Sequence, residues 1–187
     1  MTPRRGGSRL GSIGLLALGL LLVAAAPARY RREDWPHWQR INGGCRDTRA
    51  VVLARDAVPG TVEWSPDGCT VTAGEWKDPY TGALFTDPKM LDVDHLIPLQ
   101  RAHLRGGASW SRERKTAYAN ALGYRYHLRA VSASANRQKG AQGPDTWRPE
   151  KADDCQYGQA YATVAMLSGL WVSEAERTAI GALVAAC

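Results

Sequence analysis

The four cysteines of this chain of 187 residues constrain its fold more than any other feature. All four lie beyond residue 44, and no CxxC or CxxH pair occurs among them, which argues against a zinc site. An even number of cysteines predicts disulfides if the chain folds in an oxidising compartment, and four cysteines allow three pairings. We expect Cys45–Cys69 and Cys155–Cys187, because each bond then closes a loop within its own terminal segment.

The N-terminus indicates which compartment that is. Three arginines within the first nine residues precede an apolar run over residues 13–26, and small residues follow up to Ala28. This pattern is typical of a secretory signal peptide, with cleavage expected after Ala28. An uncleaved membrane anchor is the alternative, but a transmembrane helix needs about 20 apolar residues and this run is shorter. The sequence therefore predicts a secreted protein without stable membrane association, exported by the Sec or the twin-arginine route.

The predicted mature chain has the size and composition of one globular domain. Residues 29–187 carry a formal net charge of +3, because the first 28 residues take three arginines and no acid from the total of +6. That charge is too small to indicate nucleic-acid binding by itself. We expect residues 29–44 to form a mobile lead-in and residues 45–187 to form a single domain. No heptad pattern predicts a dimer, so we expect a monomer.

Turn signals and periodicity predict an α+β fold with a small antiparallel sheet and several helices. A Ser173 to Glu176 capping box marks the start of the last helix. Proline, aspartate and glycine at positions 66–68 predict a turn between two of the strands. The predicted strands cover residues 61–64, 70–72, 90–95 and 128–133, and the predicted helices cover 47–57, 99–104, 111–122, 156–170 and 174–185.

Two acids and a histidine interrupt the apolar strand predicted over residues 90–95. Asp92, Asp94 and His95 lie in the segment DVDHLIPL, and buried charges in such a strand need partners. A carboxylate is a natural ligand of a hard divalent cation, and a neutral imidazole can take a proton from water. Neighbouring residues point to opposite faces of a regular strand, so Asp94 and His95 can share a site only where the strand ends. The alternative is that Asp94 caps a turn and His95 is a hydrogen-bonded, half-buried residue.

A second polar segment follows the strand predicted over residues 128–133. Asn136 offers a neutral oxygen ligand, and Arg137 and Lys139 offer donors for phosphate oxygens. Taken alone, Asn136 is as well explained as a cap or turn residue, and the two bases as part of a solvated face.

Together these segments resemble the HNH, or ββα-metal, nuclease motif. The mature chain is similar along most of its length to small secreted bacterial HNH proteins of the DUF1524 type. The two specific segments are DVDHLIPL at residues 92–99 and ASANRQKG at residues 133–140. Supporting matches lie at residues 45–49, 52–56, 76–82 and 145–147 and at Cys187.

The resemblance implies a ββα-metal core with a helical insertion, and a metal-dependent, largely sequence-nonspecific endonuclease. His95 aligns with the general base, and Asp94 and Asn136 align with the ligands of one divalent cation, for which Mg²⁺ or Mn²⁺ is expected. Lys139 aligns with a catalytic basic residue near the scissile phosphate, and Lys139 and Arg137 are expected to contact the nucleic acid. DNA is the first substrate to expect and RNA the second.

The chain departs from the family pattern in two places. His95 and Asn136 are 41 positions apart, which is longer than a compact ββα hairpin, and Lys139 stands where a third histidine is expected. The residue that would supply the asparagine that braces the loop is left open, as is any part played by Asp92 or His103. We expect His103 on the surface.

Two other functions are compatible with the sequence. The first is a non-catalytic extracellular module that binds DNA or another polyanion through an HNH-like fold. The second is a hydrolase of a different phosphodiester.

Overall fold

The structure is a computed structural model that describes residues 1–2, 29–150, 153–185 and 187. Within these residues the chain has the α+β architecture predicted from its sequence. The predicted signal peptide and its cleavage site lie almost wholly outside the described residues. The helices are α1 Thr48–Asp56, α2 Leu99–Leu104, α3 Arg112–Ala119, α4 Ala133–Lys139, α5 Asp154–Ser168 and α6 Glu174–Val184. The strands are β1 Glu63–Trp64, β2 Val71–Ala73, β3 Trp76–Lys77, β4 Leu84–Phe85, β5 Leu91–His95 and β6 Leu128–Ser132.

The strands form three antiparallel pairs, namely β1–β2, β3–β4 and β5–β6. The β5–β6 pair is the longest, with Asp94 opposite Arg129 and His95 opposite Leu128. Residues 96–127, which include α2 and α3, connect these two strands. Helix α4 follows β6 directly and contacts both β5 and β6. The β5–β6 pair and α4 therefore lie side by side, and β5 and α4 carry the residues of the predicted site.

Side-chain caps explain where most helices begin. Asp47 accepts a hydrogen bond from the Ala50 N–H at the start of α1, and Ser111 accepts one from the Arg114 N–H at the start of α3. The predicted Ser173 capping box is present in full at the start of α6. Helix α3 ends at Ala119, earlier than predicted, where the Asn120 amide donates to carbonyl oxygens of Thr116 and Pro36.

The sequence pattern missed two elements. The β3–β4 pair has two residues in each strand, too few for a periodicity signal. Helix α4 begins where the predicted strand was extended to Ala133, and the Ser132 hydroxyl caps it by accepting from the Ala135 N–H. Asn136 therefore lies on a helix.

The β5–β6 hairpin has one apolar face and one polar face. Leu91 and Val93 pack with Val52 and Leu53 of α1 in one buried cluster. The two acids at positions 92 and 94 leave the strand on the opposite side, where α4 lies. The alternation along β5 thus separates a hydrophobic contact from a polar one.

The lead-in is packed against the domain, contrary to the expected mobile segment. Trp35 is fully buried in the cluster that contains Leu96, Leu99 and the inner face of α5, and Tyr30 packs against the same cluster. The lead-in therefore belongs to the folded unit.

Both predicted disulfides are present. Cys45 bonds to Cys69 and Cys155 bonds to Cys187, so none of the four cysteines is free. The chain-entropy model assigns about 3–4 kcal/mol of stabilisation to each loop of this length.

Glu176, at the start of α6, is the centre of a network of polar contacts between helices. Its carboxylate, 1% exposed, accepts hydrogen bonds from Arg101 and Arg105 of α2, from the Tyr161 hydroxyl of α5 and from the Ser173 N–H. Burial alone would raise the pKa of Glu176, but the hydrogen bonds outweigh burial and hold that pKa at about 2. This carboxylate joins three helices.

We expect the free energy of unfolding to fall as pH decreases from about 4.5 to about 2, because the depressed pKa of Glu176 stabilises the fold only while the group is ionised. Replacing Glu176 by Gln should cost roughly 3 kcal/mol at neutral pH and should flatten that acid dependence. Urea denaturation with intact disulfides measures both effects. The matched control is Glu174→Gln on the same helix, which removes only an exposed pair with Arg177 and should cost less than about 1 kcal/mol. Equal losses in the two variants would contradict the assignment.

Candidate functional site

Four of the five predicted site residues line one cleft of about 370 Å³. Asp94 and His95 reach it from the end of β5, and Asn136 and Arg137 reach it from α4. The other walls come from Tyr30 and Arg32 of the lead-in and from the start of α2, including Gln100. The fold thus brings His95 and Asn136 to one cleft, although they lie 41 positions apart in the sequence. The fifth predicted residue, Lys139, does not line the cleft and is fully buried.

A buried ion pair joins β5 to the end of α4. The Lys139 Nζ atom lies 2.8 Å from Asp94 Oδ1 and 2.6 Å from Asp94 Oδ2, and it also donates to the His95 carbonyl oxygen at 2.7 Å. Asp94 is 5% exposed and Lys139 is not exposed at all. In this arrangement Lys139 does not reach a phosphate in the cleft, contrary to the predicted contact. It acts instead as a positioning residue for Asp94 and the His95 backbone.

Tyr80 is a third member of this cluster, and the sequence did not indicate that it belongs there. Its hydroxyl donates to Asp94 Oδ2 at 2.6 Å. The turn between β3 and β4 holds the tyrosine in place, because the Asp78 carboxylate accepts hydrogen bonds from the N–H groups of Tyr80 and Thr81. Burial, followed by the nearby Asp94 charge, raises the pKa of Tyr80 well above its usual value, so the phenol remains a hydrogen-bond donor.

The His95 ring lies between two aromatic rings on the opposite side of the strand from Asp94. Trp38 and Tyr118 stack on its two sides, with ring centroids 5.7 and 6.3 Å from that of His95. The Nε2 atom donates to the Ala119 carbonyl oxygen at 2.9 Å, so Nδ1 is the nitrogen that carries no proton in the neutral ring. Burial, more than any other influence, lowers the pKa of His95 well below 6.5. The ring is therefore a neutral imidazole at ordinary extracellular pH.

Two other histidines are also buried. His127, at the start of the segment that leads into β6, is buried with its ring 6.1 Å from that of His95, and its Nε2 donates to the Tyr118 carbonyl oxygen. Burial lowers its pKa to about 4. His103 was expected on the surface, but it is 2% exposed because its ring packs against Tyr30 and Trp35 of the lead-in.

Asn136 and Arg137 occupy different positions on α4. The Asn136 side-chain amide donates to the Asp92 carboxylate at 3.1 Å, so Asp92 orients Asn136. Arg137 is exposed on the cleft wall, and the exposed Arg32 also lines the cleft. Because Lys139 neutralises the carboxylate of Asp94, these two guanidinium groups leave the cleft with a net positive charge. Such a cleft suits an anionic ligand.

The observed donors fit poorly with the divalent cation that the resemblance implies. Both oxygens of Asp94 are already bonded to an ammonium group, and the Nδ2 group of Asn136 donates to Asp92, which leaves Oδ1 of Asn136 as the one atom of the predicted ligand pair that could bind an ion. Among the described residues there is no group of three or more His, Cys, Asp or Glu side chains that could hold a metal ion. Magnesium usually binds six oxygen ligands. Protein carboxylates supply one or two of them, and these carboxylates must have an oxygen that is free to bind the ion. Asp94, the carboxylate that the resemblance assigns to the ion, is not open while Lys139 holds it.

Comparison with protein-family models finds no match, and comparison with solved structures finds none either. Among curated proteins, an uncharacterized secreted protein of the fungus Arthroderma benhamiae is 36% identical over 159 residues, which cover 84% of this chain and 76% of the relative. Across residues 29–150 and 153–185, no helix is long and apolar enough to cross a bilayer.

We expect the rings of His95 and His127 to stay neutral between pH 7 and pH 5.5, because burial lowers the pKa of both groups. Long-range ¹H–¹⁵N NMR of the histidine rings measures this directly, and it should also show that the His95 proton resides on Nε2. An imidazolium signal for His95 at pH 6 would contradict the environment described above.

Proposed function

Because this chain belongs to the family of secreted proteins represented by the Arthroderma benhamiae relative, we propose a function outside the cell, namely hydrolysis of nucleic-acid phosphodiester bonds in the cleft beside His95. The proposal rests on the resemblance of the sequence to HNH nucleases and on the chemistry of the cleft.

A single observation carries the proposal: a strand pair followed by a helix places His95 and Arg137 in the lining of one cleft. His95 ends β5, and Arg137 lies on α4, which follows β6 directly. The strand, strand and helix order is the one that the ββα-metal resemblance implies. The helical insertion between the strands accounts for the 41 positions that separate His95 from Asn136.

The residues of the cleft divide the work in a simple way. His95 accepts a proton on Nδ1 from the water that attacks the phosphorus, while the hydrogen bond from Nε2 to Ala119 fixes its tautomer. The bond from phosphorus to the leaving sugar oxygen breaks, and that oxygen takes a proton from solvent. Arg137 and Arg32 bind phosphate oxygens and stabilise the charge that develops on them. Lys139 holds Asp94 and the His95 carbonyl oxygen in place beneath the cleft. The predicted Mg²⁺ or Mn²⁺ stays a prediction, and no step of this mechanism passes through it.

The second candidate is a non-catalytic module that binds an extracellular polyanion. The enclosure of His95, which is 6% exposed and stacked between two aromatic rings, favours a structural histidine. The positive cleft would then retain only its binding role through Arg32 and Arg137.

The decisive test is cleavage of plasmid DNA and of a structureless RNA by the purified, oxidised protein, with Mg²⁺, with Mn²⁺ and with EDTA. We expect cleavage to fall by roughly 10²–10⁴-fold in His95→Ala, which removes the proton acceptor. We expect a loss of roughly 10- to 100-fold in Arg137→Ala, which removes a charge-assisted hydrogen bond to phosphate. Circular dichroism and urea denaturation verify that each variant is folded.

Arg125→Ala is the matched control for Arg137→Ala, because Arg125 is an exposed arginine that pairs with Asp56 and does not line the cleft. Its activity should equal that of the native protein. If folded native protein cleaves neither substrate but binds both in a salt-sensitive way, the binding module replaces the nuclease. If His95→Ala cleaves as fast as the native protein, His95 is not the base.

The pH dependence of cleavage gives an independent check on the base. A general base works only when it is unprotonated. Because the pKa of His95 is lowered, its ring stays unprotonated at pH values below the usual histidine pKa of 6.5. We therefore expect the acid limb of kcat/KM to lie well below pH 6.5. An acid limb at or above pH 6.5 would contradict His95 as the base.

A further inference from the structure

We propose that Lys139 is the resident cation of this site: its ammonium group neutralises Asp94 from within the chain, so the native protein binds no Mg²⁺ or Mn²⁺ at that carboxylate. The proposal concerns ion binding, and it stands whether or not the chain cleaves nucleic acid.

The hydrogen bonds of Lys139 are those expected of a buried ammonium group paired with a carboxylate. Its Nζ atom has three acceptors within 2.8 Å, namely both Asp94 oxygens and the His95 carbonyl oxygen. An ammonium group has three N–H donors for these three acceptors. Burial lowers the pKa of Lys139, but the adjacent Asp94 charge favours the protonated form. The group is also completely buried, so water does not compete for these bonds. Lys139 and Asp94 therefore form a closed, neutral pair.

A divalent ion at Asp94 would meet this ammonium group at close range. Magnesium lies about 2.1 Å from a ligating oxygen, so an ion on Asp94 Oδ1 would be no more than about 5 Å from Nζ. Like charges repel strongly at that distance in a buried, low-dielectric setting. The Tyr80 hydroxyl occupies a further lone pair of Oδ2. Ion binding at Asp94 therefore requires Lys139 to leave.

Displacing Lys139 from Asp94 would break three hydrogen bonds that it makes in the interior. It is the last residue of α4, and Gly140 follows with a φ of +51°, which turns the backbone away from the helix. Its surroundings are the Asp94 carboxylate, the β5 backbone and the interior, without exposure to solvent. If the ammonium group moved out, the ion would have to neutralise the Asp94 charge. It would also have to replace the hydrogen bond that the His95 carbonyl oxygen loses. The internal cation is thus favoured over an external one.

The first experiment uses the native, disulfide-bonded protein and the metal ions alone. Calorimetry with Mn²⁺, and counting of free Mn²⁺ by electron paramagnetic resonance, should give the same result for the native protein and for Asp94→Asn. The melting temperature should be the same in Mg²⁺, in Mn²⁺ and in EDTA at matched ionic strength. A stoichiometric Mn²⁺ site in the native protein that Asp94→Asn abolishes would overturn the proposal.

The second experiment removes the internal cation. Lys139→Met keeps much of the side-chain length but leaves the Asp94 charge buried without its partner, so the variant should melt at a lower temperature than the native protein. Mn²⁺ should then raise its melting temperature by mass action, and its affinity for Mn²⁺ should exceed that of the native protein at least about tenfold. The combination of Lys139→Met with Asp94→Asn should lose this response, because no charge is left to compensate.

Lys77→Met is the matched control, because Lys77 is an exposed lysine on β3 outside the cluster. It should leave both the melting temperature and the response to Mn²⁺ unchanged. A folded Lys139→Met variant that responds to Mn²⁺ no more than the native protein would contradict competition between the lysine and the ion. If Lys139→Met does not fold, the comparison of native protein with Asp94→Asn decides the question without it.

Discussion

The ion pair between Asp94 and Lys139 is the contact on which the rest of the site depends. Removing either charge from water is unfavourable, and the pair is stable only because each polar atom of the cluster has a partner. Those partners come from separate places: Lys139 from the end of α4, Tyr80 from the β3–β4 turn, and the carbonyl oxygen from His95 itself. The need to satisfy one buried carboxylate thus fixes how a helix, a hairpin and a turn meet.

This contact also determines the character of the cleft above it. Since Asp94 is neutralised from beneath, the exposed guanidinium groups of Arg32 and Arg137 set the charge that a ligand encounters. On the other face of β5, two stacked aromatic rings keep His95 neutral. The strand therefore separates a charged cluster from an uncharged imidazole, although the two residues are neighbours in sequence.

Local signals explain what could be predicted of the fold. The two disulfides followed from the positions of four cysteines in an exported chain, and the start of α6 followed from the capping box at Ser173. Helix α4 could not be predicted in this way. It has seven residues, among them serine and asparagine, and a helix so short is stable only when it packs against something.

The candidate site could be predicted in composition but not in arrangement. The segments around His95 and Asn136 pointed to a shared centre, and four predicted residues do line one cleft. The burial of Lys139 could not be predicted from the sequence, because a lysine on a short helix is usually solvated. Lys139 is buried because the fold places Asp94 within hydrogen-bond distance of it. The burial of His103 depends in the same way on Tyr30 and Trp35, which belong to a segment that looked unstructured.

The packing of the lead-in limits how far this cleft can be treated as a portable unit. Its lining runs from Tyr30 to Ala141, and Trp38 stacks on the His95 ring. A peptide or graft that carried only the hairpin and α4, residues 91–139, would lose one wall of the cleft, the Arg32 charge and the Tyr80 hydroxyl. The short motif that is most visible in the sequence is therefore not a minimal module, and transplanting the site means transplanting most of the domain.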